Sequence, residues 1–222
     1  MFDWRWDFAF EILPRLLQAT LNTLAAAGIG YGIAVVLGLV FALAQRTPSR
    51  FVTLVVRECV EFIRSTPLVL QIFFVFFVAP QFGIRLSPWV AGMIAIGLHY
   101  SAYLSEVYRG GIEAVPKGQW EACTALNLST TKTYFRVIIP QALPPSLAGM
   151  GNYLVGIFKD TPMLSVIGVA ELMQAASAIG GANYRYLEPY TMVGIIFLAI
   201  SLPAAGLIKV FEAWVHKKLG MN

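Results

Sequence analysis

Residues 109–128 read Arg109-Gly-Gly-Ile-Glu-Ala-Val-Pro-Lys-Gly-Gln-Trp-Glu121-Ala-Cys-Thr-Ala-Leu-Asn-Leu128, and the polar stretch they open closes on Ile138-Ile-Pro140. It is an island between two long apolar runs. Residues 120–128 are predicted to form a short helix, in which Trp120, Ala125 and Leu128 supply apolar contacts and Glu121 and Thr124 polar ones. A compact, partly amphipathic segment held on one side of an apolar chain is what a docking partner would grip. A helix lying flat on lipid headgroups has the same alternation, so the residues alone leave both roles open.

Working outward, the composition decides the solvent. The chain has 222 residues, of which 58% are hydrophobic and 13% charged, against about 25% charged in an ordinary soluble domain. Mean hydropathy is +0.69. A bilayer takes roughly 20 apolar residues per helical crossing, and only helices or closed barrels satisfy the backbone there. The apolar runs are continuous instead of alternating with period two, so they are read as helices. Five spans are predicted in one transmembrane domain over residues 1–222: residues 20–44, 52–78, 89–108, 141–172 and 189–210. The island fills 109–140, and residues 173–188, rich in Ala, Gly and Ser, are predicted as a loop. Glycines 28, 30, 32 and 38 in the first span allow close helix approach.

Charge sets the orientation. Arg46, Arg50, Arg57, Arg64, Arg109, Lys117, Lys132, Arg136, Lys209, Lys217 and Lys218 fall on one predicted side, and Arg5, Arg15, Arg85 and Arg185 on the other. Basic residues gather on the cytoplasmic side. The N-terminus is therefore expected outside, the island and C-terminus inside, as an odd number of spans requires. The net charge of +4 then needs no nucleic acid to explain it. The N-terminal residues lack the basic start and short apolar run of a cleavable signal peptide. Cys59 and Cys123 have no CxxC spacing, and two His give no metal cluster. No P-loop, G-x-S-x-G or H-E-x-x-H occurs, so an enzymatic role is not expected, and any ATP used must be bound by another chain.

Within the spans, Lys159 and Asp160 stand out, because a charge at bilayer depth costs about 2.5–3.5 kcal/mol on insertion scales. Adjacent residues on a helix do not face each other. They are read either as ion pairs holding the bundle or as the lining of a wet path, with Asp160 or Thr161 facing a solute. Pro162 frees the carbonyl of Phe158 and is expected to open the helix there. Pro67 does the same to Ile63, beside Thr66 and Gln71, either as an ordinary kink or as polar groups within reach of a ligand. Arg57 or Arg64 can pair with Glu61, and Glu106 with Arg109, at helical spacing. His99 is expected to be a satisfied bundle residue, and Phe73, Phe74, Phe76 and Phe77 to pack on lipid or on other helices.

Several of these segments carry a resemblance. Glu121-Ala-Cys123, Asn127 and Ile138-Ile-Pro140 resemble the EAA loop of permeases of ATP-binding-cassette (ABC) importers. Arg64-Ser-Thr-Pro67-Leu-Val-Leu-Gln71 resembles a signature of the polar amino-acid branch. So do Tyr103-Leu-Ser-Glu106-Val-Tyr-Arg109-Gly110, Asn152-Tyr153, Lys159-Asp160-Thr161 and Ser165-Val-Ile-Gly168, and the likeness covers residues 10–215. Cys123 replaces a small Ala, and Asn127 stands in place of a Gly that bends the loop at positive φ, a conformation Asn tolerates next best. A weaker similarity points to permeases for ectoine and hydroxyectoine.

The resemblance implies an all-α integral membrane protein of the type I importer permease fold, multi-pass in a bacterial inner membrane. It implies that Gly118, Trp120, Glu121, Ala122, Thr124, Ala125, Asn127 and Leu128 form a cytoplasmic coupling helix gripped by an ABC ATPase dimer. Thr66, Gln71, Tyr103, Asp160 and Thr161 are the expected solute path. The implied partners are that ATPase, which holds ATP and Mg, a second permease subunit (a copy or a sister chain), an external solute-binding protein, and membrane lipid. No cofactor is expected in this chain. Two other classes stay open on the residues alone. A gradient-driven carrier would use Asp160, Glu106 or His99 as ion sites and display an inverted repeat, of which none is apparent. A membrane scaffold would retain its function with Lys159 and Asp160 neutralised.

Overall fold

Helix α1 (Trp6–Ala44) is 39 residues long, roughly 58 Å at 1.5 Å per residue. It begins well before the predicted residue 20. Its first turns stay helical through Pro14 because Phe8, Ile12 and Leu16 are buried against Leu172, Ala176, Ile179, Val193 and Ile196, contacts that residues far along the chain supply. The computed structural model describes residues 3–219. Met1 and Phe2 of the N-terminal reading, the last three residues of the predicted domain, and the side chain of Lys218 counted in the charge asymmetry lie outside what it describes.

The chain continues as α2 (Arg50–Arg64), α3 (Leu68–Phe73), α4 (Pro88–Glu113), α5 (Lys117–Ala125), α6 (Thr130–Lys132), α7 (Ile139–Asp160), α8 (Leu172–Asn183) and α9 (Leu187–Leu219). Short π and 3-10 turns bridge α3 to Phe82, α6 to α7, and α7 to Ile167. No strand occurs among the described residues. By length and composition α1 and α9 each suffice to cross a bilayer. Two bent pairs do so together: Arg50–Arg64 with Leu68–Phe82, turned by 107°, and Thr130–Ile167 with Leu172–Asn183, turned by 46°. Helix α4, 26 residues or about 39 Å, is long enough to cross. It is less apolar because it turns His99, Tyr100, Ser101 and Ser105 inward.

Helix α4 is the centre of the bundle, packed on α1, α7, α2 and α3. Small residues set its contact with α1: Ala26, Ala27, Ala34 and Ala42 are buried with Ala91, Ala95, Ile96 and Leu104. In lipid, close packing of small residues replaces the hydrophobic drive between helices. Gly30 and Gly38 belong to this seam, since a Cβ would lie 2.5 Å from Ile96 and 2.9 Å from Leu104. Gly28 and Gly32 do not, for nothing lies within 4 Å of theirs. Half of the predicted glycine stripe thus faces outward, because helical spacing divides the four between two faces.

Four further predictions are corrected. The second span is not a continuous helix over 52–78: α2 stops at Arg64, and the chain turns by 107° before α3. The fourth is α-helical only to Asp160, where a 3-10 stretch, Thr161–Ile167, takes over and ends at Gly168 with φ +79°. The predicted loop 173–188 is mostly α8. Glu171, fully buried, caps it by accepting from Met173 N at 2.9 Å and Gln174 N at 2.7 Å, an N-cap strong enough to start a helix in a small-residue sequence. The fifth helix starts at Leu187 and runs through Leu219, past the predicted residue 210. Phe73 and Phe76 pack on the core, while Phe74 and Phe77 stay exposed.

Contacts between chain ends order the faces. Arg5 N donates to Glu188 at 3.1 Å, and Arg185 pairs with the same carboxylate at 2.5 Å, so α1 and α9 start at one end of the bundle. Arg46 lies 3.7 Å from Glu113, so α1 and α4 finish at the other, beside α5.

Candidate functional site

The island folds as two turns around α5. Helix α4 carries it to Glu113, and Pro116, extended at ψ 140°, precedes α5. The helix covers Lys117–Ala125, three residues earlier than predicted. After it the chain reverses at Leu126-Asn127. Asn127 adopts φ +50°, the left-handed conformation that a Gly would supply, and Leu128 N closes the reversal on Cys123 O at 3.0 Å.

One face of α5 is an anchor. Cys123 is buried. Trp120 packs with Val137 and Leu43 on the cluster of Ile112, Val115, Ile138 and Ala142. Its ring meets Tyr134 edge-on at 5.5 Å, and the Arg46 guanidinium lies 5.7 Å from its centre. Trp120 is therefore half-buried in its own chain. The other face is bare. Gly118, Glu121, Ala122, Thr124, Ala125 and Asn127 are exposed, and Leu128 is partly covered. Leu126, not among the expected contact residues, is 72% exposed. An open hollow of about 390 Å³ runs beside Glu121, Thr124, Asn127 and Tyr134. An exposed acidic side chain on a helix pinned from behind, with an exposed leucine at its C-terminal end, leaves this surface uncovered within the chain.

The second site is a polar and aromatic cluster where α2, α3, α4 and α7 meet. The break at Pro67 is stitched by side chains. Ile63 O, which loses its i+4 donor to Pro67, accepts from Gln71 Nε2 at 2.8 Å, Thr66 Oγ1 at 3.2 Å and Thr66 N at 3.4 Å. Beyond this elbow Gln71 meets His99, whose Nδ1 lies 3.2 Å from Gln71 Oε1. His99 is the satisfied bundle residue expected of it. On α4, Tyr100 donates to Asp160 Oδ2 at 2.7 Å, and Tyr103 donates to Arg64 O at 3.3 Å. The Arg64 guanidinium sits 5.6 Å over the Tyr103 ring. Tyr153 of α7 closes the patch, 6.0 Å from Tyr100 and 5.6 Å from Tyr103.

Four of the five expected path residues, Thr66, Gln71, Tyr103 and Asp160, thus fall in one cluster. Thr161 does not. It is fully buried, and its hydroxyl donates to Phe158 O at 2.8 Å, occupying the carbonyl that Pro162 frees. The ion-pair reading of Lys159 and Asp160 is also corrected. Lys159 is exposed, and neither residue pairs with an opposite charge among the described residues. Glu106 does pair with Arg109, at 2.7 Å, and Arg64 with Glu61 at 3.5 Å, while Arg57 takes Glu58. Tyr100, Tyr153 and Arg64 join the site unpredicted. For Tyr100 the signal was its spacing of three from Tyr103, which puts both on one face of α4, while Tyr153 and Arg64 reach the site from other helices.

Comparison with known proteins bears on both sites. Residues 34–217 match the family described as "Binding-protein-dependent transport system inner membrane component". The chain is 42% identical to the probable amino-acid ABC transporter permease protein y4tG of Sinorhizobium fredii, across 98% of this chain and 97% of that one. It is 36% identical to the L-cystine transport system permease protein TcyB of Bacillus subtilis, across 89% and 87%. A solved structure described as an amino acid ABC transporter with histidines superposes with TM-score 0.87 at 32% identity, covering 96% of this chain and 99% of that one.

Proposed function

Because this chain belongs to the binding-protein-dependent transport system inner membrane component family, we propose that it moves a small zwitterionic solute along the cluster of Tyr100, Tyr103, Tyr153 and Asp160, under control of α5. The chain is the transmembrane subunit of an ATP-driven, amino-acid-type importer with the type I permease fold, multi-pass in the inner membrane, and hydrolysis belongs to a separate ATPase. A solute-binding protein completes the system.

The observation that carries the solute path is the convergence of one carboxylate and three tyrosines on a broken-helix elbow. Among the described residues the Asp160 carboxylate accepts one hydrogen bond, from Tyr100, which leaves acceptor capacity for a cationic group. Tyrosine faces attract cations, and Arg64, at the edge of the patch, suits a carboxylate. A charge of each sign flanking an aromatic surface fits an amino acid. It fits ectoine and hydroxyectoine equally, since each joins a delocalised cation to a carboxylate. Two such subunits, copies or sisters, would enclose the path between them. The charge asymmetry supports an N-terminus outside and α5 in the cytoplasm. There an ATPase dimer, holding ATP and Mg, would seat on Glu121, Ala122, Ala125, Leu126 and Asn127 and transmit closure through the anchored Trp120. ATP binding shifts such an equilibrium only by favouring one conformation.

The test is hydrolysis by the reconstituted complex against a panel of polar amino acids, ectoine and hydroxyectoine, each supplied on the binding protein. Stimulation by one zwitterion, lost in Asp160→Asn, supports the reading. Stimulation that survives Asp160→Asn and Tyr100→Phe together would remove the path from this cluster.

A further inference from the structure

We propose that the hollow between the end of α1 and the start of α2 binds the phosphate-bearing headgroup of an anionic phospholipid. It has a volume of about 710 Å³, and Gln45, Arg46, Arg50, Thr53, Arg57 and Tyr134 line it. Three arginines line this space. Arg57 pairs with exposed Glu58 at 3.1 Å, Arg46 reaches Glu113 only at 3.7 Å, and Arg50 meets no carboxylate among the described residues. Positive charge is left over. The guanidinium fork matches phosphate oxygens in pairs.

A second observation points the same way. The side-chain nitrogen of Gln45 is buried with no hydrogen-bond partner. Buried donors are satisfied in nearly every structure, so this unused donor on a lining residue adds hydrogen-bonding capacity beside the arginines once the side chain turns toward the hollow. Thr53 and Tyr134 bring hydroxyls to the same lining.

The surroundings favour a lipid over a soluble anion. Leu54 lines the hollow and is 51% exposed, and Phe51, on the next face of α2, is 76% exposed. Charged heads and bare apolar side chains alternating on one short helix suit the interface between headgroups and acyl chains. Basic pockets beside cytoplasmic helix ends hold anionic headgroups in this way. The site also touches the coupling machinery, because Arg46 lies over Trp120 and Tyr134 packs against it. A headgroup here would brace the anchored face of α5, a consequence that rests on reading α5 as the ATPase seat.

Native mass spectrometry of the assembled importer, titrated with phosphatidylglycerol or phosphatidylcholine, tests the binding itself. Wild type should retain phosphatidylglycerol in preference. Arg50→Gln with Arg57→Gln should weaken retention about fivefold per arginine, as ~1 kcal/mol each implies, while Arg50→Lys with Arg57→Lys keeps most of it. An unchanged melting temperature and unchanged ATPase content show that both variants fold. Equal retention in wild type and the glutamine variant, or equal retention of the two lipids, overturns the proposal. Displacement of the lipid by millimolar inorganic phosphate alone would make this a soluble-anion site and overturn the lipid. Binding seen in the permease but abolished by the ATPase would assign the surface to that partner and overturn it too. Because the readout is lipid retention, its failure leaves the solute path and the importer assignment intact.

Discussion

The hydroxyl of Tyr100 donates to Asp160 at 2.7 Å, while the hydroxyl of Thr161 turns away to Phe158 O at 2.8 Å. Substitutions at these neighbours should therefore separate. Asp160→Asn removes the charge that a cationic solute group would meet, and hydrogen bonds to charged groups contribute about 1.5–3 kcal/mol. Uptake per assembled complex should fall roughly 10- to 100-fold with insertion unchanged. Thr161→Ala should instead lower the melting temperature of the purified complex, by the loss of about 1 kcal/mol for one hydrogen bond, and leave uptake per complex near wild type. Uptake assays normalised to immunodetected subunit distinguish the two, and equal losses of uptake would place both on the path. Glu121→Ala, on the bare face of α5, should weaken ATPase docking at least about tenfold, as truncating one partner of a buried charge pair does, and abolish solute-stimulated hydrolysis. Normal co-purification and normal stimulation in that variant would refute the seat. Asp160 could be picked out in sequence because a carboxylate in an apolar run is costly. Its partner could not, since Tyr100 lies 60 positions away.

At the level of elements, α5 depends on the reversal behind it and α4 on the space before it. Asn127 at φ +50° holds a conformation that costs most L-residues about 1–2 kcal/mol. Asn127→Ala should thus loosen ATPase docking, and Asn127→Gly should preserve it, which a pull-down of the ATPase by each variant would measure. Gly111 sits where α4 crosses α7, and a Cβ there would lie 2.1 Å from Ser146 Oγ and 2.6 Å from Ala142 O. A backbone oxygen cannot rotate aside. Gly111→Ala should destabilise the bundle by about 1–3 kcal/mol, as overpacking does, whereas Gly28→Ala should be neutral. Thermal unfolding of the two variants in detergent decides this, and a neutral Gly111→Ala would mean that the α4–α7 crossing gives way easily. The hairpin behind α5 was anticipated because Asn in a glycine's place has one steric meaning. Helix α8 was not, because its start depends on Glu171, which falls inside the predicted fourth span and whose role as a buried cap no periodicity reports.

For the molecule as a whole, α1 and α9 begin at the end tied together by Arg5, Arg185 and Glu188, and α5 lies at the opposite end. With basic residues concentrated at the α5 end, cysteine at Arg85 should react with an impermeant reagent added to intact spheroplasts, and cysteine at Lys117 only after permeabilisation. The reverse pattern would invert the molecule. Both positions are exposed, so silence at either would report topology and not burial.

Composition and charge were enough to determine the solvent, the all-helical class and the expected orientation, because a bilayer admits few backbone solutions and leaves its mark residue by residue. The island could be recognised for the same reason, as polarity in such a chain needs a purpose. Only the tertiary structure decided how the spans break and what the breaks hold. Pro67 and Pro162 announce interrupted helices, yet the 107° turn at one and the 3-10 continuation at the other depend on which side chains reach the freed carbonyls. It also decided that Trp120 anchors α5 while Leu126 is presented, and that Tyr100, Tyr153 and Arg64 gather around Asp160. Those contacts join α2, α4 and α7 across long stretches of chain, and periodicity along one helix carries no information about the helix it will meet.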